Sequence, residues 1–166
     1  RDQDPHAHDR RIGAAGEAYV FEILSGLNLP GFGKANWCST IRHLLSGSTY
    51  YADLEAWIGR ETADIVYTDR TGHLTQYLRN NCDGGFPEIS STRNFALAPL
   101  DYYLEVKTTT GQCGTRFYMS GKQYKRMEDM KLGRDDTQTS PKRVYVIMRV
   151  YDLMMPNIGL KVFADP

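Results

Sequence analysis

Two charged residues interrupt an apolar segment of the chain, "DYYLEVKTTT" at residues 101–110. Its aromatic and β-branched residues predict a β-strand, in which alternate side chains face the same side. Glu105 and Lys107 therefore share one face, and Val106 lies on the other. A carboxylate beside an amine is suited to binding a cation and assisting proton transfer, but it also forms ordinary salt bridges. The segment alone leaves both interpretations open.

A second carboxylate favours the chemical interpretation. Asp64 lies in "TADIVY", a predicted strand, although aspartate is a poor strand former and is costly to bury without a partner. It either caps the strand or holds a cation. Two converging carboxylates repel each other unless a cation or a proton lies between them. Because oxygen ligands of this kind suit Mg²⁺ or Mn²⁺, we predict that Asp64 and Glu105 bind one of these ions, with the Val106 carbonyl as a third ligand.

Lys107 and Glu17 extend this set into a candidate catalytic site. Beside a bound metal and a phosphodiester, the Lys107 ammonium would orient the attacking water and stabilise the transition-state charge. A deprotonated lysine would instead accept a proton from that water. Glu17 follows the small residues "GAAG" in a predicted helix, where close packing on the sheet would let it reach the metal through a water. The alternative is an exposed helix carboxylate.

A basic helix follows the charged strand. Residues 121–131 place Lys122, Lys125 and Arg126 at three- and four-residue spacing, which puts them on one helix face. Such a face contacts nucleic-acid phosphates or is simply solvated. The net charge is zero, but residues 107–149 contain ten Lys/Arg against four Asp/Glu. This distribution is compatible with a polyanionic partner, although patches of this size are common on other proteins.

Two tyrosines flank the start of that helix. Tyr118 and Tyr124 would stack on nucleic-acid bases if they were exposed. Aromatic residues at such positions more commonly belong to the core, and that is the interpretation we favour from sequence. Ser120, between them, is the predicted N-cap of the helix.

The predicted order of elements is a helix, several strands, a second helix and a final strand, which favours a mixed sheet with helices on both sides. The turn at Gly72 predicts a hairpin whose return strand is residues 74–80, and the Gly- and Asn-rich residues 80–99 predict a long loop. The predicted helices are residues 12–27 and 121–133, and the other predicted strands are residues 35–40, 61–69, 101–110, 116–120 and 142–152.

Length and composition favour one globular domain. The 166 residues are 41% hydrophobic and include no apolar run long enough for a membrane span, so we expect no membrane association. We predict a flexible linker at residues 1–11 and a single domain at residues 12–166. Three cysteines without CxxC spacing predict a reducing intracellular location, nuclear or cytoplasmic. Because the chain starts with Arg1, we expect it to be part of a longer polypeptide; its oligomeric state is open.

Five short motifs occur in a characteristic order. They are G-x-x-G-E at residues 13–17, Asn-Trp at 36–37, Asp-Ile at 64–65, Glu-Val-Lys-Thr at 105–108 and F-x-x-S at 117–120. The acidic pair with its lysine resembles the PD-(D/E)XK nuclease superfamily. The ordered set, spanning residues 12–151, is similar to the C-terminal domain of NO VEIN-type proteins, a domain of unknown function.

This resemblance implies an α/β fold with a restriction-endonuclease-like core, a mixed β-sheet flanked by helices. It implies metal ligation by Asp64 and Glu105, a catalytic role for Lys107, and a polar residue near the site at Gln123. The function it predicts is metal-dependent hydrolysis of nucleic-acid phosphodiester bonds.

The alternative function is a catalytically inactive nuclease-like module that binds nucleic acid or protein. A third possibility is a purely structural salt bridge between Glu105 and Lys107, which predicts that Asp64 lies remote from both.

Overall fold

The computed structural model describes residue 4, residues 6–133 and residues 141–166. It has an α/β architecture built on a four-stranded mixed sheet in the order β1-β2-β3-β4. The strands are β1 Ile65–Asp69, β2 Leu100–Thr108, β3 Arg143–Tyr151 and β4 Gly159–Ala164. The helices are α1 Ala7–Gly26, α2 His73–Asn81 and α3 Gly121–Met130, with 3-10 turns at Lys34–Asn36, Arg42–Leu45 and Thr49–Tyr51. Within these described ranges, no helix is long and apolar enough to cross a membrane.

The strand β2 lies inside the sheet and presents different chemistry on its two faces. It pairs antiparallel with β1 and parallel with β3, while β3 pairs antiparallel with β4. Leu104 and Val106 join the main apolar core, which also includes α1 residues. Glu105 and Lys107 project from the opposite face, where both contact α3. The predicted mixed sheet with flanking helices is therefore confirmed at the level of an α/β fold.

Helix α1 begins at Ala7, inside the segment predicted to be a linker. Asp4 explains the earlier start, because its carboxylate accepts a hydrogen bond from the His6 amide (2.9 Å) and pairs with Arg10 (2.6 Å). The Ala7 amide also donates to the Asp4 carbonyl at 2.9 Å. Residues 1–3 and 5 of the predicted linker lie outside the described part of the chain.

A close approach joins α1 to the sheet at Gly16. A Cβ atom added at this position would collide with the side chain of Thr108 on β2. The small residues of "GAAG" thus allow the helix to lie near the strand, as the sequence predicts. Glu17 follows directly and is carried to the end of β2 by this packing.

The segment predicted as a hairpin return strand is instead helix α2. Gly72 adopts a left-handed φ of 80° immediately before it. The Asp69 carboxylate then accepts hydrogen bonds from the amides of Gly72 and Thr75, each at 2.8 Å, and so stabilises the free amides of the first helical turn. Leu74 and Leu78, four residues apart, become fully buried on one helix face.

Two further strand predictions differ from the structure. Residues 116–120 form no strand, and residues 35–40 form none either: their start belongs to the 3-10 turn Lys34–Asn36, and Trp37 makes only an isolated bridge to Ile65. Strand β4, Gly159–Ala164, was not predicted. It supplies the fourth strand, and Val162 on it packs into the main core.

Candidate active site

Asp64 lies immediately before β1 and connects three segments of the chain. Its Oδ2 accepts a hydrogen bond from the Val106 amide at 2.7 Å, and its carbonyl accepts one from the Cys38 amide at 2.7 Å. The Asp64 carboxylate thus accepts a hydrogen bond from a β2 amide just beyond Leu104, the last β2 residue that pairs with β1. Because Val106 separates Glu105 from Lys107, Asp64 lies beside both, and the prediction of a remote Asp64 is wrong.

Glu105, Lys107 and Gln123 form a closed triangle of contacts. The Lys107 ammonium is 3.0 Å from Oε1 of Glu105 and donates to Oε1 of Gln123 at 3.0 Å. The Gln123 amide nitrogen in turn donates to Oε1 of Glu105. Strand β2 supplies the two charged groups on one face, and helix α3 supplies the amide. The sequence resemblance placed Gln123 near this site, and the structure places it in contact with both charges.

The position of Gln123 is fixed by the start of α3. Ser120 is the N-cap, and its hydroxyl accepts a hydrogen bond from the Gln123 amide at 3.2 Å. The Gln123 side chain completes a capping box by accepting from the Ser120 amide at 2.9 Å. The same side-chain oxygen therefore serves the helix terminus and Lys107.

Glu17 is buried and lies among hydrogen-bond donors. Its two carboxylate oxygens accept from Trp37 Nε1 at 2.8 Å and from the Ser39 hydroxyl at 2.9 Å. Only 3% of the residue is exposed, so the alternative interpretation of Glu17 as an exposed helix carboxylate is wrong. Of the pair Asn36-Trp37 that the sequence resemblance singled out, Trp37 is itself one of these donors.

Burial, and secondly the crowding of carboxylates, raises the pKa values of the acidic groups at the site. Burial raises the pKa of Asp64 well above its usual value, and the charges of Glu17 and Glu105 raise it further. Burial also raises the pKa of Glu17 to about 7, against the opposing effect of its Trp37 and Ser39 hydrogen bonds. Removing these groups from water, next to one another, disfavours their ionised forms. A cation among them would relieve this cost.

The donor set fits a hard divalent cation that retains several waters. Oδ1 of Asp64 accepts no hydrogen bond from the described residues, and Glu105 supplies a second carboxylate. In the described parts of the chain, no three His, Cys, Asp or Glu side chains form a group able to hold a metal ion. Mg²⁺ commonly binds through one or two carboxylates, with waters and phosphate oxygens completing its shell. Ligation by the Val106 carbonyl stays a prediction.

The predicted basic residues border a pocket beside this triangle. The pocket has a volume of about 300 Å³, and Glu105, Lys122, Gln123 and Arg126 contribute to its lining. Lys125 lines an adjoining pocket of about 420 Å³, together with Lys122 and Arg126. Two residues of the helix face predicted from spacing, Lys122 and Arg126, therefore line the same pocket as Glu105. Its contact with nucleic acid stays a prediction.

The two tyrosines do not belong to the core. Tyr118 is 89% exposed and Tyr124 is 54% exposed, so the core interpretation favoured from sequence is wrong. Tyr118 lies in the segment before α3, which belongs to no strand.

Sequence reasoning missed two residues that contact the carboxylates. Ser39 binds Glu17, and the Tyr145 hydroxyl lies 3.4 Å from Oε2 of Glu105. Burial and the nearby charges of Glu105 and Asp64 raise the pKa of Tyr145, which keeps its hydroxyl a donor. The alternation of side chains along β3 is the sequence signal that could have placed Tyr145 on the same face as Glu105. Its parallel partner in the register is Tyr103, two residues before Glu105 and on the same face.

No protein-family model, curated protein or solved structure matches this chain. The class that the fold defines is an α/β protein with a mixed sheet. The resemblance to PD-(D/E)XK nucleases and to NO VEIN-type proteins therefore stays an expectation from the motifs.

Proposed function

We propose that this chain is a metal-dependent nuclease domain with a restriction-endonuclease-like core, acting within a longer polypeptide. The observation that supports the proposal is the convergence of Asp64, Glu105 and Lys107 beside an amide from α3. Two of these are acidic groups whose mutual repulsion favours a cation, and the third is an amine within 3.0 Å of Glu105. This combination is suited to phosphodiester hydrolysis.

Asp64 and Glu105 would hold Mg²⁺ or Mn²⁺, which when bound would polarise a scissile phosphate and lower the pKa of a bound water. Lys107, held by Glu105 and Gln123, would orient the attacking water and stabilise developing negative charge. Glu17 is fixed by Trp37 and Ser39 and would act on the same site through water. The basic side chains of α3 would bind the phosphates of the substrate.

Calorimetric titration with Mg²⁺ and Mn²⁺, alongside cleavage assays on DNA and RNA, tests the proposal. We expect ion binding and cleavage by the wild type, and loss of both in Asp64→Ala. Asp64→Asn is the companion variant, because it keeps an acceptor for the Val106 amide while removing the charge. Asp9→Asn, at an exposed position of α1, is the control for charge alone. Equal, negligible ion binding in wild type and variants, with no cleavage, would end the catalytic proposal.

A catalytically inactive binding module is the second candidate. It is favoured by the engagement of the Glu105 carboxylate with Lys107, Gln123 and Tyr145, which stabilises the site without a metal. Polyanion binding that needs no divalent ion and survives Glu105→Gln supports this candidate. Cleavage that depends on both Glu105 and a divalent ion excludes it.

A further inference from the structure

A buried arginine lies next to Lys107 on the sheet. Arg149 is on β3, where the parallel register pairs it with Lys107, so both side chains lie on the same face. Only 2% of Arg149 is exposed. No salt bridge within the described parts of the chain includes it, and its Nε has no hydrogen-bond partner among the described residues. Burial lowers the pKa of this guanidinium, so the fold keeps the charge at an energetic cost.

Arg149 joins two segments of the backbone. Its Nη1 donates to the Lys107 carbonyl at 3.2 Å, and its Nη2 donates to the Thr115 carbonyl at 2.7 Å. The guanidinium also lies over the ring of Phe117, with Cζ 5.1 Å from the ring centroid. Only arginine offers a planar fork for two carbonyls together with a face for an aromatic ring. An apolar side chain would fill the same volume without a buried charge, so the contacts account for an arginine here.

Thr115 and Phe117 belong to residues 109–120, the segment that connects β2 to α3. Near β2, residues 109–111 form backbone hydrogen bonds with residues 150–153, at 2.9–3.3 Å. Near α3, the contacts come from side chains, because Met119 packs against the apolar cluster on this face and Arg149 holds the residues before it. Arg149 thus anchors the half of the segment that leads into the helix.

The segment ends at the residues that fix Gln123. Ser120, three residues after Phe117, is the N-cap of α3. Gln123, three residues further on, contacts Lys107 at 3.0 Å. A shift of Phe117 would therefore move the start of α3 relative to β2, and this gives a role to the phenylalanine of the F-x-x-S motif. The path is closed, since Arg149 also binds the carbonyl of Lys107.

We propose that Arg149 is a positioning residue: by holding Thr115 and Phe117, it sets the contact between Gln123 and Lys107. Its burial keeps it from touching a substrate, so it acts only through the groups that it holds. The inference deepens the proposed function and rests on it for any effect on catalysis. The contact between Gln123 and Lys107 does not itself depend on that function.

NMR spectra of the side-chain amide groups test the proposal without requiring cleavage. The Gln123 signal is identified as the one that is lost in Gln123→Leu. Arg149→Lys keeps the charge but removes the planar fork, and Phe117→Leu removes the aromatic ring. Phe117→Tyr keeps the ring and tests rescue by the conservative variant.

Arg79 and Phe86 provide a matched control. Arg79, on α2, donates to the Ile89 carbonyl at 3.0 Å and lies over the Phe86 ring, with Cζ 5.6 Å from the ring centroid. Neither residue lines the two pockets beside Glu105 and α3. Arg79→Lys and Phe86→Leu therefore remove the same kind of contact at a different place in the fold.

We expect Arg149→Lys and Phe117→Leu each to move the Gln123 signal towards that of a solvent-exposed glutamine. Phe117→Tyr and both control variants should keep the wild-type position. Because the two changes remove one anchor, the double variant should differ little from the single variants. In cleavage assays kcat should fall by up to about 100-fold, the effect of a misplacement of about 1 Å, while KM changes little.

Two results would overturn the inference in variants that keep the wild-type circular dichroism: an unmoved Gln123 signal in Phe117→Leu, or an equal shift in the control variants. Phe117 is 40% exposed, so we expect its variant to fold even where Arg149→Lys does not. A moved Gln123 signal, with no cleavage by the wild type under any divalent ion, would reject the nuclease proposal and leave this inference intact. Cleavage that is unchanged in Phe117→Leu, with an unmoved Gln123 signal, would do the reverse.

Discussion

The two faces of the sheet differ in what they bury. On the α1 face, Val20, Phe21 and Leu24 pack against β-strand residues in the main core of the protein. On the α3 face, the buried apolar cluster among the residues that the structure describes consists of Met130, Tyr145 and Ile147. The remainder of that face carries the charges of Glu105 and Lys107, the Gln123 amide and two adjoining pockets that share Lys122 and Arg126. The apolar face supplies most of the stability, and the polar face is therefore available for chemistry.

Strand β2 contributes to both faces at consecutive positions. Leu104 is fully buried in the main core, and Glu105, the next residue, lies among polar groups on the other side. The strand is thus anchored by one half of its side chains while it presents the other half to the site. Substitutions on the two faces should consequently affect different properties.

The largest expected effect is on the apolar face. Leu104→Ala should lower the free energy of unfolding by about 2–5 kcal/mol, because it leaves a cavity in the main core. Glu105→Gln, at the next position, should cost less, since losing the Lys107 ion pair is offset by reduced repulsion with Asp64 and Glu17. Urea denaturation measures both. Equal destabilisation by the two variants, with divalent-ion binding unchanged in Glu105→Gln, would contradict the division between faces.

The next effect concerns pH and the buried carboxylate of α1. The pKa of Glu17 is raised from 4.5 to about 7 in the folded protein, so the folded state holds a proton that the unfolded chain loses between these values. Without divalent ions, wild-type stability should therefore fall as pH rises through this window. Glu17→Gln should remove on the order of 3 kcal/mol of that fall.

Denaturation at pH 4.5 and pH 7.5 in EDTA measures the change for each protein. Comparing the two pH values separates the titration from any pH-independent cost of altering the Trp37 and Ser39 hydrogen bonds. If the free energy of unfolding changed equally with pH in wild type and Glu17→Gln, titration of Glu17 would not be the cause of the pH dependence.

A smaller effect tests the close approach of α1 to the sheet. Gly16→Ala should destabilise by about 1–3 kcal/mol, because the new methyl group collides with Thr108. Gly13→Ala is the matched control on the same helix. Its Cβ would meet the flexible end of Ile41 at 3.1 Å, and the gain in helix propensity, up to about 1 kcal/mol, offsets that contact. Thermal unfolding distinguishes the two, and equal effects would mean that the helix does not need this spacing.

The smallest effect is at the start of α3, on the polar face. Ser120→Ala should cost about 1 kcal/mol through loss of the N-cap. Ser48→Ala is its control, since the Ser48 hydroxyl accepts a longer 3.4 Å bond at a three-residue 3-10 turn. Chemical denaturation compares them. A larger loss for Ser48→Ala would indicate that the capping box contributes little.

Local patterns predicted the elements that carry the site, but tertiary contacts decided others. The alternation of β2 and the cap at Ser120 are encoded by neighbouring residues, and both are confirmed. The identity of α2 depended on Gly72 and on how Asp69 bonds the first turn, which short-range β-propensity does not describe. Strand β4 depends on pairing with β3, which sequence pattern alone did not identify.

For the candidate site, the sequence predicted which residues carry the charges, but not which distant side chains contact them. Spacing placed Glu105 and Lys107 on one face, and the structure agrees. The donors to Glu17 lie at residues 37–39, and Arg60 and Arg143, from two distant segments, line one pocket together with Lys125. Such convergence depends on the three-dimensional path of loops, which carries no periodic signal.

The capping box at α3 makes one backbone proton a reporter of the contact between Gln123 and Lys107. The Ser120 amide donates to the same Gln123 oxygen that receives the Lys107 ammonium. When that side chain turns away from Lys107, the amide loses its acceptor and becomes free to exchange with solvent. Deuterium uptake at Ser120 would then follow how often Gln123 is in contact with Lys107, even before any ligand has been found.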